Sequence, residues 1–135
     1  MLIKNKITQF YVSSHSDDRG DLTVITEKLT NFDIKRVYYV VVPKKNTTRG
    51  GHAHSTISQV IYVIRGGLKI VPYGNKIDIV NLEKNCGLII YPLTWVSIES
   101  LEDDTIYIVL ANGPYDKNEY INNIERLEVM INNGS

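Results

Sequence analysis

The chain has 135 residues, long enough for one domain with a real core and too short for two independent ones. Its fifteen basic and fifteen acidic side chains cancel, so no net field draws it to nucleic acid or an anionic membrane, and any phosphate site must be a local cluster. The single cysteine, Cys86, cannot form an internal disulfide, no apolar run approaches the roughly 20 residues of a membrane helix, and no basic start leads into an apolar stretch, so a cytoplasmic protein is expected.

Short segments rich in Val, Ile, Tyr and Thr alternate with Gly, Asn, Asp and Pro, the pattern of an all-β sandwich or barrel. In chain order the strands are expected at Ile7–Phe10, Asp21–Thr26, Ile34–Val42, Gly51–His54, Ser58–Arg65, Leu68–Tyr73, Lys76–Asn81, Cys86–Tyr91, Trp95–Ser100 and Thr105–Ala111. Gly66-Gly67 and Gly74-Asn75 each sit between β-rich runs, so two consecutive tight hairpins are predicted there. Only Glu119–Asn132 has helical apolar spacing, through Tyr120, Ile121, Ile124, Leu127, Val129 and Ile131, and predicts a short terminal helix. No repeat or linker divides the chain, so residues 1–135 read as one domain with a frayed or vector-derived Asn-Gly-Ser tail. The β-rich segment Leu2–Val12 is expected to pair across a two-fold axis and make a homodimer; the alternative is that it closes its own barrel in a monomer.

Two of the three histidines, His52 and His54, are one residue apart on a predicted strand and point to the same face. Such a pair serves as metal ligands, as general acid and base, or as packed polar groups. Nearby stand residues suited to an anionic, hydroxylated ligand: Lys35, Arg36 and Arg49, with Tyr38, Tyr39 and Tyr107 on neighbouring strands. Taken singly, strand tyrosines read as barrel wall and Lys35-Arg36 as a solvated edge. Arg49 differs because it directly precedes the histidines, and Gly50 and Gly51 then allow close approach of backbone to ligand. Cys86 reads as a small buried hydrophobe and His15 as a solvated loop residue.

The spacing of His52, His54, Gln59 and Gly66 resembles the first motif of the cupins, which implies a small cupin or jelly-roll barrel. That motif has glutamate where Gln59 stands, and the region matching the second motif, Gly87 to Ser97, contains no histidine. Two imidazoles without a charged partner hold a divalent ion weakly. The site is therefore read as free of metal and cofactor, with imidazoles whose ordinary pKa is about 6.5.

A more specific resemblance rests on Asp18-Arg19-Gly20, on Ile34 to Tyr39, on Arg49-Gly-Gly-His-Ala-His54, on Val109 to Ala111, and on Tyr115-Asp116 with Glu119-Tyr120-Ile121. In this order they resemble the sugar 3,4-ketoisomerases that act on thymidine diphosphate 4-keto-6-deoxyglucose. The resemblance implies an isomerase that moves the keto group from carbon 4 to carbon 3 without a redox cofactor, for unusual deoxyamino sugars of surface polysaccharide. It implies that His52 and His54 are catalytic, with His52 the base at carbon 3, His54 handling the second proton, and Tyr38 or Tyr39 fixing the imidazole tautomer. It places Arg49 near the diphosphate or sugar; Arg36, Lys35, Tyr39, Gln59, Trp95, Ser97 and Tyr107 are expected as further substrate contacts. Val96 directly after Trp95, Lys117-Asn118 and Asn122 depart from the family's pattern.

Two other readings compete. A 3,5-epimerase would act on the same nucleotide sugar but pairs a histidine with an aspartate, a pairing not legible here. A non-catalytic cupin would bind the sugar nucleotide without turnover.

Overall fold

A computed structural model describes residues 7–74 and 78–134. The chain folds as β1 (Ile7–Tyr11), β2 (Ser14–Asp17), β3 (Gly20–Thr23), α1 (Glu27–Thr30), β4 (Arg36–Val42), β5 (Thr48–His54), β6 (Gln59–Arg65), β7 (Gly67–Pro72), β8 (Val80–Glu83), β9 (Cys86–Ile90), β10 (Val96–Ser100), β11 (Thr105–Ala111), β12 (Tyr120–Ile121) and α2 (Ile124–Gly134). Two five-stranded antiparallel sheets face each other, ordered β1-β9-β6-β11-β4 and β12-β5-β10-β7-β8, while β2 and β3 form a separate hairpin. This is the expected all-β, cupin-type sandwich with a terminal helix.

Between the sheets, Ile61, Val63, Leu68, Ile70, Leu82, Leu88, Tyr107 and Val109 form the main core. Along β11 the inward positions Thr105, Tyr107, Val109 and Ala111 are buried, the two-residue period of a half-buried strand. Two smaller clusters cover the outer faces. Ile25, Phe32 and Ile34, from the segment around α1, pack on Val60, Ile89 and Leu110. Leu127, Met130 and Ile131 of α2 pack on Ala53, Ile121, Leu93 and Trp95.

Several boundaries differ from the sequence reading, each for a local reason. The Gly66-Gly67 pair is not a hairpin: β6 pairs with β9 and β11, whereas β7 pairs with β10 and β8. Here the chain crosses from one sheet to the other, with Gly66 at φ 81° and no room for a Cβ beside Thr105. Near Gly74, β7 and β8 are antiparallel neighbours, but their register ends at Ile70 opposite Val80, so the connection is longer than two residues. Asn75, Lys76 and Ile77 lie outside the described residues, and the strand expected at Lys76–Asn81 runs instead over Val80–Glu83.

The strand expected at Asp21–Thr26 is β3, paired with β2, and their turn is tied by the Arg19 to Asp17 ion pair at 2.6 Å. The terminal helix begins at Ile124, because Tyr120 and Ile121 pair with β5 and the Asn123 side chain accepts the Arg126 N–H as a helix cap. Within Leu2–Val12, the described part pairs with β9 of its own chain, Ile7 opposite Ile90 through Tyr11 opposite Cys86. Residues 2–6 lie outside the described residues.

Candidate active site

A cavity of about 220 Å³ lies between the sheets, lined by Tyr38 and Val40 of β4, Arg49, Gly50, His52 and His54 of β5, Gln59 and Ile61 of β6, Val96 and Ile98 of β10, Tyr107 and Val109 of β11, and Tyr120 of β12, together with Ile90 and Thr94. In an unbroken strand Arg49 and His52 would face opposite sides, since their separation is odd. The β5–β10 ladder resolves this with a bulge: Ile98 pairs with Arg49 and Ser97 with Gly50, but Val96 pairs with His52, so Gly51 is skipped. Gly50 and Gly51 both have positive φ, 83° and 77°, a conformation glycine adopts without cost from a Cβ. The glycines thus rotate the arginine into the cavity that the histidines face.

The imidazoles of His52 and His54 meet edge to face, 5.2 Å between ring centroids at 77°. Burial lowers the pKa of both rings. For His52 a hydrogen bond to the Gly50 backbone counters it. A bond that favours the charged ring is one in which the ring N–H donates to a carbonyl, leaving the other nitrogen with its lone pair. For His54, burial, then the neighbouring His52, then the Arg36 guanidinium bring the pKa down to about 4, against a small opposing effect of Glu119. Both ring nitrogens of His54 are buried without a hydrogen-bond partner.

Tyr38 is raised above the ordinary phenol value by burial first and then by Tyr120, while Arg36 and Gln59 act the other way. Its hydroxyl oxygen accepts from the Gln59 amide at 3.4 Å, which leaves its own proton free to be donated. A hydrogen bond that can set the His52 tautomer is the one to the Gly50 backbone. Tyr107, buried in the core, is raised by burial and pulled down by the Arg49 guanidinium that hydrogen-bonds it. Arg36 lies with its guanidinium 5.3 Å from the Tyr38 ring centre and 5.9 Å from that of Tyr115, and its Nε is buried without a partner.

The cavity brings together His52, His54, Tyr38, Arg49, Gln59 and Tyr107, with Arg36 against Tyr38. Four residues expected as substrate contacts are elsewhere. Tyr39, 70% exposed, alternates out of phase with Tyr38 and Val40 and faces outward. Lys35 is exposed before β4 and contributes its backbone N–H to Ala111. Ser97 lies between the cavity-facing Val96 and Ile98, so its side chain points to the other face of β10. Trp95 packs on Tyr73, 6.3 Å between centroids, and in the cluster beneath α2. Tyr120 lines the cavity although helical spacing assigned it to a helix face; its place in the Glu119-Tyr120-Ile121 signature was the available signal. Among the described residues, no group of three or more His, Cys, Asp and Glu could hold a metal ion.

A two-sheet sandwich with paired imidazoles and a phenol facing one interior cavity defines an enzyme-like cupin. A family profile described as FdtA: WxcM-like, C-terminal matches residues 4–132. A TDP-4-oxo-6-deoxy-alpha-D-glucose-3,4-oxoisomerase of Aneurinibacillus thermoaerophilus is 33% identical over 132 residues, 96% of this chain and 94% of the relative. A 3,4-ketoisomerase of Helicobacter canadensis superposes with a TM-score of 0.84 at 30% identity, covering 93% of this chain and 97% of that one. A His-to-Asn mutant of a 3,4-ketoisomerase from Thermoanaerobacterium thermosaccharolyticum, in complex with TDP-4-keto-6-deoxyglucose, superposes at 0.81 with 31% identity and 90% of each chain covered. The chain belongs to this family, that of the sugar 3,4-ketoisomerases. A dTDP-4-dehydrorhamnose 3,5-epimerase from Bacillus anthracis, 16% identical with a TM-score of 0.72 over 84% of this chain and 76% of that one, shares the fold alone.

Proposed function

We propose that this protein is an isomerase that moves the keto group of thymidine diphosphate 4-keto-6-deoxyglucose from carbon 4 to carbon 3 of the hexose. The observation that carries the reading is the pair of neutral imidazoles, His52 and His54, facing one cavity beside a protonated phenol, Tyr38, in a member of this family. The reaction requires a base for the proton on carbon 3, stabilisation of an enediol, and delivery of a proton to carbon 4. His52 is the base, because its hydrogen bond to Gly50 presents the other nitrogen as an acceptor. His54, neutral with both nitrogens unpartnered, handles the second proton: one nitrogen gives its proton to carbon 4 while the other takes the proton of the carbon 3 hydroxyl, and the proton held by His52 passes to the carbon 4 oxygen, so both rings end neutral as they began. The Tyr38 proton, which Gln59 leaves free, meets the oxygen on which charge develops. Arg49 and Arg36 are the cations for the diphosphate. The donors facing the cavity are neutral side chains and arginines, a set that would hold a divalent ion weakly.

The reading extends to a cytoplasmic enzyme that supplies deoxyamino sugars for surface polysaccharide. It also extends to a homodimer, supported by the place of β1, the described part of Leu2–Val12, at a sheet edge and by the row of exposed Val37, Tyr39 and Val41 on the outer face of the other edge strand, β4. No helix among the described residues is long and apolar enough to cross a membrane.

The test is the nucleotide sugar in heavy water, followed by proton resonance. The expected result is loss of the carbon 3 signal, with carbon 4 becoming a deuterated carbinol in heavy water and showing a carbinol proton signal when the reaction is repeated in ordinary water. Loss at carbons 3 and 5 together would make the protein an epimerase, and an unchanged spectrum a binder.

A further inference from the structure

We propose that Tyr120 is a positioning residue of this site: its ring, fixed to β5 through Glu119, holds the His52 and His54 imidazoles in the orientation the chemistry uses. The inference rests on the ketoisomerase reading of the cavity. Tyr120 is the one ring that touches both histidines, 4.9 Å from His52 at 64° and 4.7 Å from His54 at 52° between centroids among the described residues. No hydrogen bond from the protein orients His54, since both its nitrogens are unpartnered. Ring packing is what remains to set its angle, and offset or edge contacts of this kind have definite geometric preferences.

The tyrosine is itself held. On the β5–β12 ladder Tyr120 stands opposite His54 and the fully buried Ile121 opposite Ala53. The preceding carboxylate clasps the turn that follows His54. Glu119 Oε1 accepts the Thr56 and Ile57 N–H groups at 2.9 and 3.0 Å, and Oε2 accepts the Ser55 and Thr56 hydroxyls at 2.8 and 2.7 Å. The Glu119 carbonyl accepts the Ser55 N–H at 3.0 Å. One residue therefore ties the strand bearing the tyrosine to the strand bearing the histidines, which is how a first contact gains a rigid support.

The charged and titratable groups around His54 are His52 and Arg49 on its own strand, Arg36 and Tyr38 on β4, Tyr107 on β11, and Glu119 and Tyr120 on the β12 segment; β6 contributes the neutral Gln59 and β10 only Val96 and Ile98. Removing the Tyr120 ring admits water to both imidazoles and relaxes the burial that keeps them neutral.

The experiment compares Tyr120→Phe, Tyr120→Leu and Glu119→Gln in the full chain, by turnover of thymidine diphosphate 4-keto-6-deoxyglucose and by histidine ring resonances of the ligand-free protein. His15, exposed on β2 away from the cavity, is the internal reference. Tyr120→Phe keeps the ring and retains kcat within about threefold, whereas Tyr120→Leu loses about 30-fold or more in kcat with little change in KM, as misplaced reacting groups do. In Tyr120→Leu the acid limb of the pH profile moves up and the His52 and His54 resonances shift while His15 does not. Glu119→Gln loosens the clasp and also removes the carboxylate that favours a charged His54, so it shifts the same two resonances by less and without the upward move of the acid limb, and it stands in for Tyr120→Leu if that variant does not fold. Unmoved His52 and His54 resonances, or a Tyr120→Phe loss equal to that of Tyr120→Leu, would overturn the assignment. If the resonances move as expected but wild-type protein turns nothing over, the positioning role stands and the ketoisomerase reading falls.

Discussion

His52 stands opposite Val96 on the β5–β10 ladder, one residue out of step with the pairing of Gly50 to Ser97. That slip puts Arg49 and His52 on one face and depends on two successive positive φ angles. A methyl group on Gly50 would lie 3.0 Å from the Val96 carbonyl oxygen as well as in the left-handed region. Gly50→Ala is expected to destabilise the fold by about 1–2 kcal/mol or more, read as a lower urea midpoint, and to raise KM as Arg49 leaves its place. A variant with unchanged midpoint and KM would mean the bulge is not what aims the arginine.

Replacing either histidine removes a proton-transfer group while keeping a polar side chain of similar shape. His52→Asn is expected to lower kcat by roughly 100-fold to 10,000-fold, with solvent exchange at carbon 3 lost in parallel. His54→Asn is expected to lower kcat while leaving some exchange at carbon 3, since the first abstraction belongs to His52. Deuterium incorporation in the substrate recovered after single turnovers separates the two.

Tyr38 and Tyr39 are sequence neighbours on opposite faces of β4, one against the cavity and one 70% exposed. Tyr38→Phe removes a donor from the developing oxyanion and is expected to cost about 100-fold in kcat. Tyr39→Phe should leave kcat and KM within about twofold. Equal losses in the two variants would contradict the assignment of faces.

Both imidazoles are held below the ordinary histidine value, and His54, at about 4, stays neutral as the pH falls from 6.5 toward that value. Their folded pKa values are depressed, so the unfolded chain binds more protons in that window, and stability should decline as pH drops from about 6.5 toward 4. Glu119 adds to this at lower pH. Burial would raise its carboxyl, but the hydrogen bonds from Thr56, Ser55 and Ile57 bring it down to about 2, so its contribution is present above pH 4.5 and lost between 4.5 and 2. Gln59→Glu places a carboxylate in the same cavity and should move the acid limb of kcat/KM up by about one pH unit or more, because an opposite charge favours the imidazolium. An acid limb that stays in place in Gln59→Glu would separate this residue from the histidines.

The sequence by itself determined the all-β layering, the strand at Thr105–Ala111, the same-face placement of His52 and His54, and the motif that identifies the family. Alternation and the His-x-His spacing are local properties, readable from neighbours along one strand. Only the tertiary structure decided which residues of other strands meet those histidines. The bulge at Gly50-Gly51 inverts the phase that would have hidden Arg49. Alternation relative to the opposing sheet separates Tyr38 from Tyr39 and turns Ser97 away from the cavity. The pairing of Tyr120 with His54 joins positions 66 residues apart, and it displaced the helix that periodicity alone would begin at Glu119. Such choices belong to register and packing between distant strands, where the burial of Ile121 and Leu127 outweighs local helical propensity.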